Sequence, residues 1–171
     1  HTSKEAEELY SLSFDKKNGS KEVIKLLEEA NRKDPLNLFV RNRLASVFIA
    51  EREFESAELW IKETLKIAET ISSAYSEYKD FSVYRAKSIL IEIYLKTERY
   101  EEALIAADEL IAFNPDDPII YEKKSKALYE IGKYAEALEA VNKQLQIKKS
   151  KGAIERKITI LLKLKMYNEA L

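Results

Sequence analysis

Apolar side chains recur along this chain at intervals of three and four residues. Leu44 and Phe48, or Ile61, Leu65 and Ala68, are typical, and the spacing places them on one face of an α-helix. Alternating, strand-like runs are nearly absent, and the apolar run at 119–121 is too short to count as one. Ala, Leu, Glu, Lys and Ile are abundant while Gly and Pro number three each, a helix-favouring balance. The periodicity breaks at 18–20, 33–35, 51–53, 96–99, 114–118, 131–133, 150–152 and 163–165. This predicts an all-α chain of about nine full helices. Residues 166–171 read as the first turns of a tenth, so the parent protein is expected to extend further.

A longer period lies over the helical one. Four segments, at 51–59, 97–105, 132–140 and 164–171, each hold an aromatic followed three residues later by Ala. The pairs are Phe54/Ala57, Tyr100/Ala103, Tyr134/Ala137 and Tyr167/Ala170, and the Ala anchors are spaced by 46, 34 and 33. Stepping back 34 from Ala57 reaches Val23, with Ser20 in the aromatic's place. Nine residues before the anchors stand Phe14, Phe48, Tyr94, Leu128 and Leu161. Pro35 and Pro115 stand twelve after the first and third. A small side chain lets two helices approach closely and the aromatic fills the space beside it. A proline, lacking an N–H, suits the start of the next helix.

This pattern resembles the tetratricopeptide repeat, a helix–turn–helix unit, over almost the whole chain, with 132–141 the best match. The resemblance implies helix pairs stacked in a right-handed α-solenoid, each pair burying against the next the apolar face it cannot bury alone. The units are expected at about 4–37, 38–71, 84–117, 118–150 and 151–171, the last truncated. The chain departs from the family at several positions. Lys124 and Lys157 replace apolar residues, and Ile91 and Ile158 replace small ones. The anchor spacing of 46 implies about 12 inserted residues, 72–83. Split evenly between the flanking helices, they would extend each by about six residues, or ~9 Å. Tyr75, Tyr78 and Phe81 on this insertion are read either as packing between the two long helices or as a protruding contact site.

In the family, the first helix of each pair lines a concave groove that holds a peptide or a partner helix. Helical phase assigns Phe39, Asn42, Ser46 and Ile49 to this groove in the second unit, and Arg85, Ser88, Glu92 and Leu95 in the third. Ile119, Glu122, Lys126 and Tyr129 follow in the fourth, with Glu155, Thr159 and Leu162 in the fifth and Glu5, Glu8, Leu12 and Asp15 in the first. Ile49, Leu95, Tyr129 and Leu162 are equivalent; they form either an apolar stripe for a partner or the inner edge of the helix–helix core. The Lys and Asn clamp of chaperone-binding members is not reproduced, because Glu8, Leu12, Asn42 and Arg43 stand at its positions. Trp60, on a second helix, is read as a packing residue.

Composition narrows the chemistry. The net charge is −1 and the predicted groove mixes signs, which argues against nucleic acid and acidic membrane surfaces. No run approaches the ~20 apolar residues of a membrane span. There is no Cys, and the single His is His1, so no interior thiol or imidazole is present for catalysis or metal binding. Three glycines build no phosphate loop, and neighbouring acids such as Glu101 and Glu102 point apart on a helix. The expectation is a non-catalytic scaffold, without cofactor or metal, that binds a protein or peptide partner. The alternatives are a homo-oligomeric assembly element or the regulatory arm of a larger enzyme.

Overall fold

The computed structural model describes residues 3–15, 17–71 and 76–166. These form nine α-helices: α1 (Lys4–Leu12), α2 (Ser20–Lys33), α3 (Leu38–Ala50), α4 (Phe54–Thr70), α5 (Ser76–Lys96), α6 (Tyr100–Phe113), α7 (Pro118–Glu130), α8 (Tyr134–Ile147) and α9 (Lys151–Lys163). No strand occurs among the described residues. The predicted tenth helix and Tyr167/Ala170 lie outside them. The chain divides into two compact units, His1–Ile89 and Leu90–Leu171.

The repeat is written in the backbone. α4, α6 and α8 each begin on the predicted aromatic, Phe54, Tyr100 or Tyr134, and each buries its anchor: Ala57, Ala103 and Ala137 are at most 1% exposed. The preceding residues Glu53, Arg99 and Lys133 share one conformation, with φ −87°, −88° and −81° and ψ 67°, 67° and 62°. Just before them Arg52, Glu98 and Gly132 adopt positive φ, at 64°, 60° and 79°, and Lys165 does so after α9 at 59°. This left-handed residue closes the first helix of a pair. The next N–H then reaches back five residues: Glu53 to the Phe48 carbonyl at 2.8 Å, Arg99 to Tyr94 at 2.9 Å, Lys133 to Leu128 at 2.9 Å and Met166 to Leu161 at 3.0 Å. Three first helices are also capped at their starts. Asn37, Asp117 and Ser150 side chains accept N–H groups of α3, α7 and α9, while α4, α6 and α8 have no such side-chain cap.

Only Gly132 adopts the left-handed region without a Cβ penalty. Glu98→Gly is therefore expected to stabilise by about 0.5–1 kcal/mol, the relieved strain outweighing the added freedom of the unfolded chain. Gly132→Ala is expected to cost about 1 kcal/mol. No atom lies within 4 Å of a Cβ built there, so this cost is backbone alone. Denaturation midpoints of the two variants, moving in opposite directions, check both.

The first pair departs from this plan. α1 stops at Leu12, short of the break expected at 18–20, and Asn18 Nδ2 donates to the Leu12 carbonyl at 3.0 Å. Phe14, nine residues before the first anchor, is 52% exposed, unlike the buried Phe48 and Leu128; its ring meets Tyr10 edge-on at 5.1 Å and carries the Arg43 guanidinium 4.5 Å from its centre. Ser20, which has no ring, gives the turn nothing to close around. α8 ends at Ile147 and α9 begins at Lys151, so the expected break at 150–152 falls at 148–150.

The inserted residues are not shared evenly. α4 has 17 residues against 14 in α2, α6 and α8, while α5 has 21 against 13 in α3, α7 and α9. α5 thus takes most of the addition. Its early turns do not simply project into solvent, because Tyr78 and Ser82 are bonded to α3.

Candidate functional site

In the first unit, the predicted groove position Phe39 and the insertion residues Tyr78 and Phe81 meet in one aromatic cluster. Phe39 packs edge-on to Tyr78 at 4.9 Å between ring centres and tilts toward Phe81 at 6.0 Å. The Tyr78 hydroxyl accepts the Leu38 N–H at 2.8 Å and donates to Asn37 Oδ1, and burial raises its pKa. Tyr78 is therefore a packing residue, while Phe81 remains 55% exposed. Tyr75 lies outside the described residues. Asn42 is buried, and its Nδ2 donates to the Ser82 carbonyl at 2.9 Å, joining α3 to α5. Ser46 bonds back to the Asn42 carbonyl of its own helix at 2.9 Å. Ile49 is half-buried and Arg85 exposed. Trp60 is half-buried beneath the Arg41 guanidinium, 5.3 Å from its ring. Arg41 itself is 7% exposed and anchored on the Pro35 carbonyl at 3.0 Å.

In the second unit, five predicted positions line a single cleft of about 540 Å³: Glu92, Leu95, Ile119, Glu122 and Lys126. Lys96, Tyr100, Lys123 and Glu130 complete it. α5 supplies one wall and α7 the other. Ile119, just inside the start of α7, is 56% exposed, because Pro118 and the Asp117 cap fix the helix start and leave the side chain on the outer face. Tyr129 does not line the cleft. It packs edge-on to Tyr134 at 5.3 Å and against the core of Leu128, Ala137, Val141 and Ile160.

The charges of the cleft are largely matched internally. Glu122 accepts Lys126 at 2.7 Å and Arg156 of α9 at 3.2 Å, and Arg156 also donates to Gln144 of α8 at 3.3 Å. Burial pushes the Glu122 carboxyl up, but Lys126 and Arg156 outweigh it and the net shift is downward. Lys123 faces Glu92 at 3.8 Å, and burial lowers its ammonium pKa. The sequence did not single out Arg156 or Gln144. The only available signal was their phase: each falls between two helices whose adjacency needs the repeat register.

A depressed Glu122 pKa makes a stability contribution that is complete above the unfolded carboxylate value, ~4.3. It is lost as pH falls through the lower folded value. The melting-temperature gap between the native chain and Glu122→Gln is thus expected to hold constant from pH 7 to about 5 and to close in more acidic solution. A gap that persists unchanged in acid would show that the carboxylate charge plays no part.

Among the described residues, no helix is long and apolar enough to cross a membrane, and no three carboxylate or imidazole side chains gather as a metal site. Neither a family model nor a curated protein sequence matches the chain. Solved structures do. MamA 41-end from Desulfovibrio magneticus RS-1 superposes with a TM-score of 0.80 at 14% identity, over 99% of this chain and 91% of that one. The chain has the helical-repeat fold of MamA. MamA AMB-1 gives a TM-score of 0.75 at 15% identity, covering 99% of this chain and 92% of its own. MamA MSR-1 gives 0.71 at 14% identity, covering 96% and 87%. At such identities the similarity is one of fold.

Proposed function

We propose that the chain is a tetratricopeptide-type repeat array that binds a segment of another protein, without chemistry of its own, in the cleft between α5 and α7. The observation that carries this reading is the convergence of five groove positions on one 540 Å³ cleft with an exposed aliphatic residue, Ile119, at its mouth. Leu95 and Ile119 supply apolar surface for an anchoring side chain. Lys96 and Glu130, exposed at the end where α5 and α7 terminate, set the register of the bound segment by charge. The fold supports the reading as well, since stacked helix pairs offer extended binding surfaces.

The test is the double substitution Leu95→Glu/Ile119→Glu, which places charge on the apolar surface of the cleft while leaving the anchors and caps intact. Proteins retained by the native chain from its own organism's lysate are identified, purified and titrated against both forms. Affinity is expected to fall by at least about a hundredfold, the equivalent of ~3 kcal/mol. A folded double variant that binds as tightly as the native chain would overturn the site. A native chain that retains only further copies of itself would replace partner recognition with self-assembly.

A further inference from the structure

The first hairpin is closed differently from the others. Among the described residues it has neither the left-handed residue nor the five-residue return bond. A side chain takes their place: Asn18 Nδ2 donates to the Leu12 carbonyl, where α1 ends, at 3.0 Å. In the later hairpins a backbone N–H does this, as Glu53 does to the Phe48 carbonyl at 2.8 Å. Asp15 folds the turn between, its carbonyl accepting the Asn18 N–H at 3.1 Å and its carboxylate the Lys17 N–H at 3.0 Å. The tie between α1 and the start of α2 therefore rests on one side-chain amide.

That amide stands next to a reactive neighbour. Gly19 follows it, and Asn18–Gly19 is the sole Asn-Gly pair of the sequence. Gly19 is exposed, and no atom lies within 4 Å of a Cβ built on it, so the space beside its peptide nitrogen is open. Among the described residues nothing accepts its N–H. This nitrogen can close a succinimide ring on the Asn18 side-chain carbonyl carbon. Gly19 is also the N-cap of α2, so the positive end of that helix favours the anionic form of the nitrogen, which is the attacking one.

We propose that Asn18 is a site of self-modification: it deamidates through the Gly19 nitrogen, and the reaction unties α1 from the hairpin. The Gly19 nitrogen gives its proton to solvent and attacks Asn18 Cγ. A C–N bond forms, the Cγ–Nδ2 bond breaks, and Nδ2 takes up a proton from solvent and leaves as ammonia. Water then opens the succinimide at either carbonyl, giving aspartate or isoaspartate. Water is the only other reactant. The product holds a carboxylate where the Nδ2 donor stood. The carbonyl end of α1 repels it, while the N–H groups of the first turn of α2, which no side chain caps, attract it. The group that tied α1 becomes a cap for α2. The site lies in the first unit and does not depend on the α5–α7 cleft.

The experiment incubates the native chain in mildly alkaline buffer and maps its peptides by mass spectrometry, with isoaspartate labelled by an isoaspartyl methyltransferase. Conversion is expected at Asn18 ahead of every other asparagine, at a rate that rises with pH. Gly19→Ala fits the ordinary φ of −72° and should slow the reaction by about tenfold or more, its methyl group shielding the nitrogen. Asn18→Asp reproduces the aspartate product directly. Hydrogen exchange in α1 is then expected to quicken by about fivefold, the effect of losing one hydrogen bond, with α2 unchanged or slower. An Asn18 that stays intact while other asparagines convert, or an equal rate in Gly19→Ala, overturns the proposal. So does unchanged exchange of α1 in Asn18→Asp. Faster exchange in α1 and α2 alike would show general loosening instead of release of one helix, and also overturns it.

Discussion

Ala137→Leu is expected to destabilise the protein by about 3 kcal/mol, because its anchor site leaves no room for three more carbons. Ala137 is 0% exposed in the core formed with Leu128, Ala140, Val141, Ala153 and Ile160, and Ser125 Oγ donates to its carbonyl at 3.1 Å. That bond records how closely α7 approaches α8. A larger side chain must push the helices apart and lengthen it. For a chain of this size the melting temperature should fall by roughly 6–12 °C. Ala135→Leu, two residues away on the exposed side of the same helix, is expected to change it little. Thermal unfolding of the pair separates packing from helix propensity, and similar melting temperatures for the two would refute the close approach.

Leu128→Ala is the second large effect, acting in the opposite sense on the same core. Leu128 is 2% exposed and its carbonyl receives the Lys133 N–H that closes the turn. Truncation leaves a cavity and is expected to cost about 3 kcal/mol. Since Leu128 and Ala137 share one core, the two substitutions combined should cost measurably less than their sum, the added leucine partly filling the space the lost one vacates. A strictly additive double variant in denaturant titrations would mean that the two sites do not touch.

These anchors were legible in the sequence because they depend on local rules. A small residue three after an aromatic, at a recurring interval, fixes both the start of α4, α6 and α8 and the buried face they present. The ends of α3, α5 and α7 were legible too, although nothing in Arg52 or Glu98 announces a left-handed residue. The division of the insertion was not. Residues on both sides of 72–83 favour helix, so phase alone could not assign most of them to α5. The candidate site was legible in part. Position along a helix placed Leu95, Ile119, Glu122 and Lys126 on one cleft, but the partners that Asn42 and Glu122 find on neighbouring helices, Ser82 and Arg156, lie 40 and 34 residues away. Such pairings require knowing which helix lies beside which.

The two kinds of connection differ in what they permit. Where the left-handed residue and the five-residue return bond occur, the link from first to second helix is three residues long, at 51–53, 97–99 and 131–133. Lengthening it would break the bond and misplace the aromatic that follows. Links from second to first helix hold no such five-residue return bond among the described residues, and their lengths range from three residues at 148–150 to five at 71–75, where the insertion entered. Evolutionary growth of this architecture is thereby channelled. Duplication, deletion and extension find their tolerated junctions ahead of the first helix of a pair, and the hairpins between them are inherited whole.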